Sequence, residues 1–294
     1  MTPQTTLRAK AEEQAARLPA LLARAEHLAG AVLLGAHGRR RAGLGDDFWQ
    51  YRPAQHGDSR RMIDHRRSAM GDQEYVRERE WQIAQSVMLW VDQGASMRFA
   101  STKDLPDKAD RARLLGLALC VLLIRGGERV GLTGTALPPR RGNPQVLRLA
   151  EMLTQDDPAD YSPPEHRAMI PHARAVFISD FMGDLEAVKL ALTKAADRGV
   201  RGVLYHVLDP SEEAFPFTGR TIFESMGGTL SHETLKANDL KSRYLERLAA
   251  RKQELSELCA LTGWQYGLHH TDASAQSALL WLYGALDARR GVAT

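Results

Sequence analysis

Short apolar runs alternate with helical patterns from residue 87 onward, and this alternation restricts the chain more than any other feature. Val87–Val91, Arg129–Leu132, Ala175–Ile178, Val200–Leu208 and Trp264–His269 read as strands. Between and after them, Ala109–Arg125, Val146–Thr154, Leu185–Asp197, Leu235–Leu261 and Ala273–Leu286 read as helices, three of them stopped by a following glycine. Strands that are apolar throughout are buried on both faces, which is the pattern of a parallel sheet covered by helices on either side. The expected fold is α/β, with a mostly parallel doubly wound sheet. Right-handed crossovers gather the carboxyl ends of such strands along one rim, where open α/β sheets place their ligands.

The first third reads differently. Residues 5–34 carry Leu18, Leu21, Leu22, Ala25 and Leu28 in one helical stripe. Residues 38–67 have no period and hold eight arginines against four aspartates. They read as a loop-rich, arginine-rich extension, with a strand after it in Tyr75–Trp81. The expected division is an N-terminal helix with its extension over residues 1–80 and an α/β domain over residues 81–294.

Composition narrows the function classes. Hydrophobic residues make up 44% and charged residues 26%, enough for a packed core. A formal charge of +3 over 294 residues is too small to imply nucleic acid, and the four aspartates dilute the arginine-rich stretch. Cys120 and Cys259 lie in apolar helical patterns and read as buried free thiols, not as a disulfide framework or a zinc site. No apolar run is long enough to cross a bilayer, and charged residues follow Arg8 and Lys10 where a signal peptide needs an apolar stretch. A cytoplasmic protein that neither spans a membrane nor binds nucleic acid is expected. Adjacent His269 and His270 point to opposite faces of a strand and do not suit one metal ion.

Two strand ends carry the chemistry. Val87-Met88-Leu89-Trp90-Val91 is followed by Asp92-Gln93-Gly94-Ala95-Ser96-Met97, and Val176-Phe177-Ile178 by Ser179-Asp180. Each apolar strand ends at an acidic turn, so Asp92, Ser96 and Asp180 are expected to meet at the carboxyl rim. Oxygen ligands converging from two strands suit a hard cation such as Mg²⁺.

Asp92-x-Gly94-x-Ser96 followed by Asp180 resembles the metal-ion-dependent adhesion site of von Willebrand factor A domains. The upstream blocks Gly43–Phe48, Arg52, Gly57–Arg60, Ile63–His65 and Tyr75–Glu78, with Ala95–Phe99, resemble the domain-of-unknown-function 58 family. The likeness covers roughly residues 35–185. It implies a von Willebrand factor A-like fold and a non-catalytic interaction module. The implied partner is a MoxR-type AAA+ ATPase, and the module acts in assembly or activation of other proteins. It implies a metal held by Asp92, Ser96 and Asp180, whose open position takes the acidic side chain of a protein ligand. The partner-binding set is then Asp92, Gly94, Ser96, Asn143 and Asp180. Two departures weaken the metal site. Gly94 replaces the first serine of the motif, and the expected second loop, residues 141–144, has no threonine and offers only the Asn143 amide.

An alternative reading is a serine hydrolase. Gly94-Ala95-Ser96-Met97-Arg98 differs by one residue from a nucleophile elbow, and Asp180 with His206 or His269 follows in a permitted order. Arg98 stands where the elbow needs its second glycine, and Asp92 has no role in that scheme.

Overall fold

The computed structural model describes residues 18–33, 48–54, 63, 65–69, 71, 73–79, 85–228 and 231–287. The regions between them include most of the arginine-rich extension, so the upstream blocks 43–47 and 57–60 lie outside the described residues.

Side chains of the central strands divide between two apolar layers, as the period of two requires. In β3 (Ser86–Val91), Val87, Leu89 and Val91 enter one layer, and Met88 and Trp90 the other. The first layer is covered by α1 (18–33), α3 (Lys108–Arg125), α4 (Asn143–Leu153) and α8 (Ala275–Asp287). The second is covered by α5 (Leu185–Asp197) and α7 (Asn238–Thr262). In α3, residues 114–123 are all buried, which is why its sequence is apolar on every side. Both cysteines are free and buried, and burial pushes both thiols up to about 12.

The sheet joins β4 (Arg129–Leu132), β3, β5 (Arg174–Ser179), β6 (Arg201–Leu208) and β9 (Gln265–His270) in that spatial order. Every neighbouring pair is parallel. The expected α/β architecture with a parallel, doubly wound sheet is thus observed. The chain steps outward from β3 to β4, then crosses back over β3 to β5. This reversal makes a topological switch point between the carboxyl ends of β3 and β5, where such sheets open a crevice.

Two features depart from the expected layout. Contacts separate residues 38–84 from the rest, so α1 belongs with the sheet and not with the extension. Its Leu21, Ala25, Ala29 and Val32 are buried in the first layer, because a four-residue apolar stripe needs a partner surface. Further along, residues 210–228 and 231–234 form structure that no clear periodicity announced. A short helix, α6 (Pro210–Ala214), leads into an antiparallel hairpin of β7 (Thr221–Glu224) and β8 (Ser231–Thr234).

Within residues 38–84, β1 (Phe48–Pro53) pairs antiparallel with β2 (Tyr75–Arg79), and α2 (His65–Ser68) lies between them in sequence. The Ser68 hydroxyl accepts from the Tyr75 amide at 2.9 Å. Among the described residues no helix is long and apolar enough to cross a membrane.

Candidate functional site

Three neighbouring strands of the sheet end in aspartate: Asp92 after β3, Asp180 after β5 and Asp209 after β6. All three are buried. Asp92 and Asp180 flank the switch point on the same rim, as expected, and the Asp92 amide donates to the Ile178 carbonyl at 2.9 Å.

The two carboxylates are used differently. Asp92 accepts from the Gly94 amide at 2.8 Å and from the Ser179 hydroxyl at 2.6 Å. Burial, and then the neighbouring Asp180, push its carboxyl up to about 7, against the pull of those two hydrogen bonds. Asp180 accepts from the Met182 amide at 3.1 Å and from the Lys108 ammonium at 2.8 Å. Burial alone would raise its carboxyl, but Lys108 holds it below the usual carboxylate range.

Lys108, the first residue of α3, is only 2% exposed. Its second anion is Glu212, at 2.7 Å. Burial works against the charge of Lys108, but Asp180 and Glu212 together hold its pKa above the ordinary lysine range. Glu212 is fixed in turn. Its other oxygen accepts from the Asp209 amide at 2.7 Å, completing a capping box on α6. Asp209 accepts from Ser211 at 2.8 Å and from Ser101 at 2.9 Å. The rim is thus tied together by Lys108, Glu212, Ser179 and Asp209; Ser179 and Asp209 stand at strand ends, but neither was assigned to the site from sequence, and nothing at the strand ends pointed to Lys108 or Glu212.

Gly94 has a steric reason. A Cβ there would lie 2.9 Å from the Asp160 carbonyl oxygen and 3.0 Å from the Ser162 amide nitrogen. The loop after α4 presses on this turn, and the Ala95 and Ser96 amides donate to the Ala159 and Asp160 carbonyls at 2.8 and 2.9 Å. The second loop of the rim is therefore residues 154–162, which carry Asp157, Asp160 and Ser162.

Asn143 is not part of the site. An antiparallel bridge between Val130 and Arg140 folds the segment after β4 back toward the amino end of that strand. Asn143 then opens α4 as an exposed residue, away from Asp92. Its placement on the second loop is corrected: residues 141–144 were taken as rim, but the chain had already turned back.

A metal held by Asp92, Ser96 and Asp180 does not fit these residues. Both Asp92 oxygens and both Asp180 oxygens already accept hydrogen bonds, and a buried ammonium sits against Asp180. The side chains also open to different spaces. Asp92 and Ser179 line one cavity, while Ser96, Lys108 and Asp180 line another of about 600 Å³. Among the described residues no group of three or more His, Cys, Asp or Glu is placed to hold a metal ion.

The larger cavity is a groove between the rim, the β7–β8 hairpin and α7. Phe215, Phe217, Phe223 and Tyr244 line it, and Phe215 contacts each of the other three rings at centroid separations of 5.1–5.9 Å. Arg243 and Arg247, one turn apart on α7, line the same groove and are exposed. Neither is ion-paired among the described residues. Phe215 on this groove and Phe181 on the smaller cavity have positive φ of 42° and 47°, as do Ala168 and His172 away from both. Such conformations cost about 1–2 kcal/mol and cluster where a surface has work to do.

A family model described as "Protein of unknown function DUF58" matches residues 50–254. The chain belongs to this family. No curated protein matches this DUF58 chain. Among solved structures it is similar to one titled "Crystal structure of conserved hypothetical protein BatB from Bacteroides thetaiotaomicron". That match has 15% identity and a TM-score of 0.40, and covers 70% of this chain and 100% of the other. A likeness at that level adds nothing to the fold described above.

Proposed function

We propose that this DUF58 chain is a non-catalytic protein-interaction module with a von Willebrand factor A-like domain, and that its carboxyl rim binds an acidic segment of a protein partner. The partner that the family resemblance implies is a MoxR-type AAA+ ATPase, with assembly or activation of other proteins as the joint task. The observation that carries the reading is the groove at the rim: an aromatic wall beside two exposed arginines, Arg243 and Arg247, without acidic partners among the described residues. Aromatic anchors and arginine are the side chains that dominate protein recognition. Guanidinium groups also match carboxylates in a planar, bidentate way.

A serine hydrolase finds no support at Ser96. Its hydroxyl is buried without a hydrogen-bond partner, so no base is in place to activate it. Asp180 is held by Lys108, while His206 bonds through Nδ1 to the Tyr266 hydroxyl at 2.8 Å. Burial pushes the His206 pKa down to about 3. His269 stacks on Tyr205 instead of facing a serine.

The test is capture of a MoxR-type ATPase from the same organism by the wild-type chain and by Arg243→Glu/Arg247→Glu. Both positions are exposed, so the variant is expected to keep the wild-type Tm and lose capture. Undiminished capture refutes the arginine surface. Labelling of Ser96 by a fluorophosphonate probe favours the hydrolase instead.

A further inference from the structure

We propose that the ammonium of Lys108 is the resident cation of this rim, standing where the strand-end oxygens would otherwise hold a divalent ion, so that the rim works without metal. This goes beyond the partner reading and stands on the geometry of the rim alone.

Lysine is an unexpected residue to bury here. It opens α3, and the amino end of a helix carries a partial positive charge that disfavours a cation. A side chain of this kind is almost never fully buried unless it is paired. Here the pairing is complete: Asp180 lies at 2.8 Å on one side and Glu212 at 2.7 Å on the other. The ring of Phe99 lies 5.8 Å from the same nitrogen. Ser96, the motif's remaining hydroxyl, lines the same cavity, and its oxygen has no hydrogen-bond partner. Asp180 and Glu212 therefore flank the ammonium as oxygen ligands would flank an ion, and the unbonded Ser96 hydroxyl lines the same cavity.

The same set does not take a second cation. Magnesium needs close, near-octahedral oxygen contacts and parts with its water reluctantly. The oxygens here are spaced for N–H···O bonds, and Asp92 is engaged with Gly94 and Ser179. A divalent ion beside Asp180 would also face a buried positive charge within a few ångströms. Gly94 offers no hydroxyl to a metal, and the ammonium of Lys108 supplies the positive charge at this rim.

The experiment is Mn²⁺ titration of the full chain, followed by electron paramagnetic resonance and thermal unfolding. It uses wild type, Asp180→Asn, Lys108→Ala and Lys108→Ala/Asp180→Asn. Wild type is expected to show no saturable Mn²⁺ binding and an unchanged Tm. Lys108→Ala leaves two carboxylates facing vacated space, on the cavity that Ser96 also lines, so it is expected to gain saturable Mn²⁺ binding and a raised Tm. Adding Asp180→Asn is expected to remove that gain. Saturable binding to wild type that Asp180→Asn abolishes overturns the proposal, and so does a folded Lys108→Ala that gains no Mn²⁺ binding. Should Lys108→Ala fold only with Mn²⁺ present, the proposal is supported. Should it stay unfolded with or without Mn²⁺, the proposal is overturned. Partner capture plays no part in these readouts, so the two readings fail separately.

Discussion

Replacing Lys108 by methionine probes the energetics of the rim, because methionine keeps most of the unbranched apolar stem and deletes the ammonium with its charge and donors. At an effective dielectric constant of about 20, one unit-charge pair at 2.8 Å corresponds to about 6 kcal/mol of gross attraction. The contact to Glu212 at 2.7 Å is of the same size. Most of this offsets the desolvation of three buried ions and the repulsion between the two carboxylates, so the pairs contribute far less than their sum. What the substitution exposes is the uncompensated charge left behind, a loss of about 3–5 kcal/mol when one partner of a buried pair is removed. For a domain of this size that lowers Tm by roughly 6–20 °C. Urea unfolding at neutral pH, followed by tryptophan fluorescence, measures it. The triple variant Lys108→Met/Asp180→Asn/Glu212→Gln removes all three charges and keeps the acceptor oxygens for the Met182 and Asp209 amides. It is expected to recover at least half of the loss. A Lys108→Met protein within about 1 kcal/mol of wild type would falsify the reasoning, since it would mean that Asp180 and Glu212 do not depend on the ammonium.

Other expectations follow from the same rim. Asp92 is protonated in the folded chain up to about pH 7 but ionised in the unfolded chain above about pH 4. Its raised pKa therefore costs stability as pH rises through that window, by up to about 4 kcal/mol. Relative to wild type, Asp92→Asn should gain about 2–3 kcal/mol between pH 5 and pH 8 in paired urea titrations, and an unchanged difference refutes this. Gly94→Ser, which restores the adhesion-site motif, should destabilise by about 1–3 kcal/mol and confer no Mg²⁺-dependent rise in Tm, because its Cβ meets the Asp160 and Ser162 backbone. Ser96→Ala removes a buried hydroxyl that has no partner, so its Tm should equal or exceed that of wild type, and a clear fall would show that the hydroxyl is bonded.

The sheet was legible because its strands are buried on both faces. Val87–Val91 and Ala175–Ile178 have no other reading than apolar strands, and the residues after them had to lie at one rim. The ion cluster was not legible. Nothing around Lys108 distinguishes it from a solvated lysine at a helix start, and its partners are 72 and 104 residues away. Gly94 was read as a lost ligand, whereas its absent side chain makes room for a loop that local sequence cannot place. Asn143 was placed on the motif's second loop; Pro138 to Pro144 signalled a loop, but not the Val130–Arg140 bridge that turns the chain back. The β7–β8 hairpin escaped notice because four-residue strands with mixed exposure carry almost no period.

The Lys108 cluster joins the start of α3, the end of β5 and the cap of α6, so it cannot assemble until three distant stretches of chain have reached their final places. An intermediate with only part of the sheet would have neither the neutralised ammonium nor the fixed groove beside it. On the proposed reading, a protein that docks at this rim distinguishes finished copies from unfinished ones without contacting the rest of the molecule.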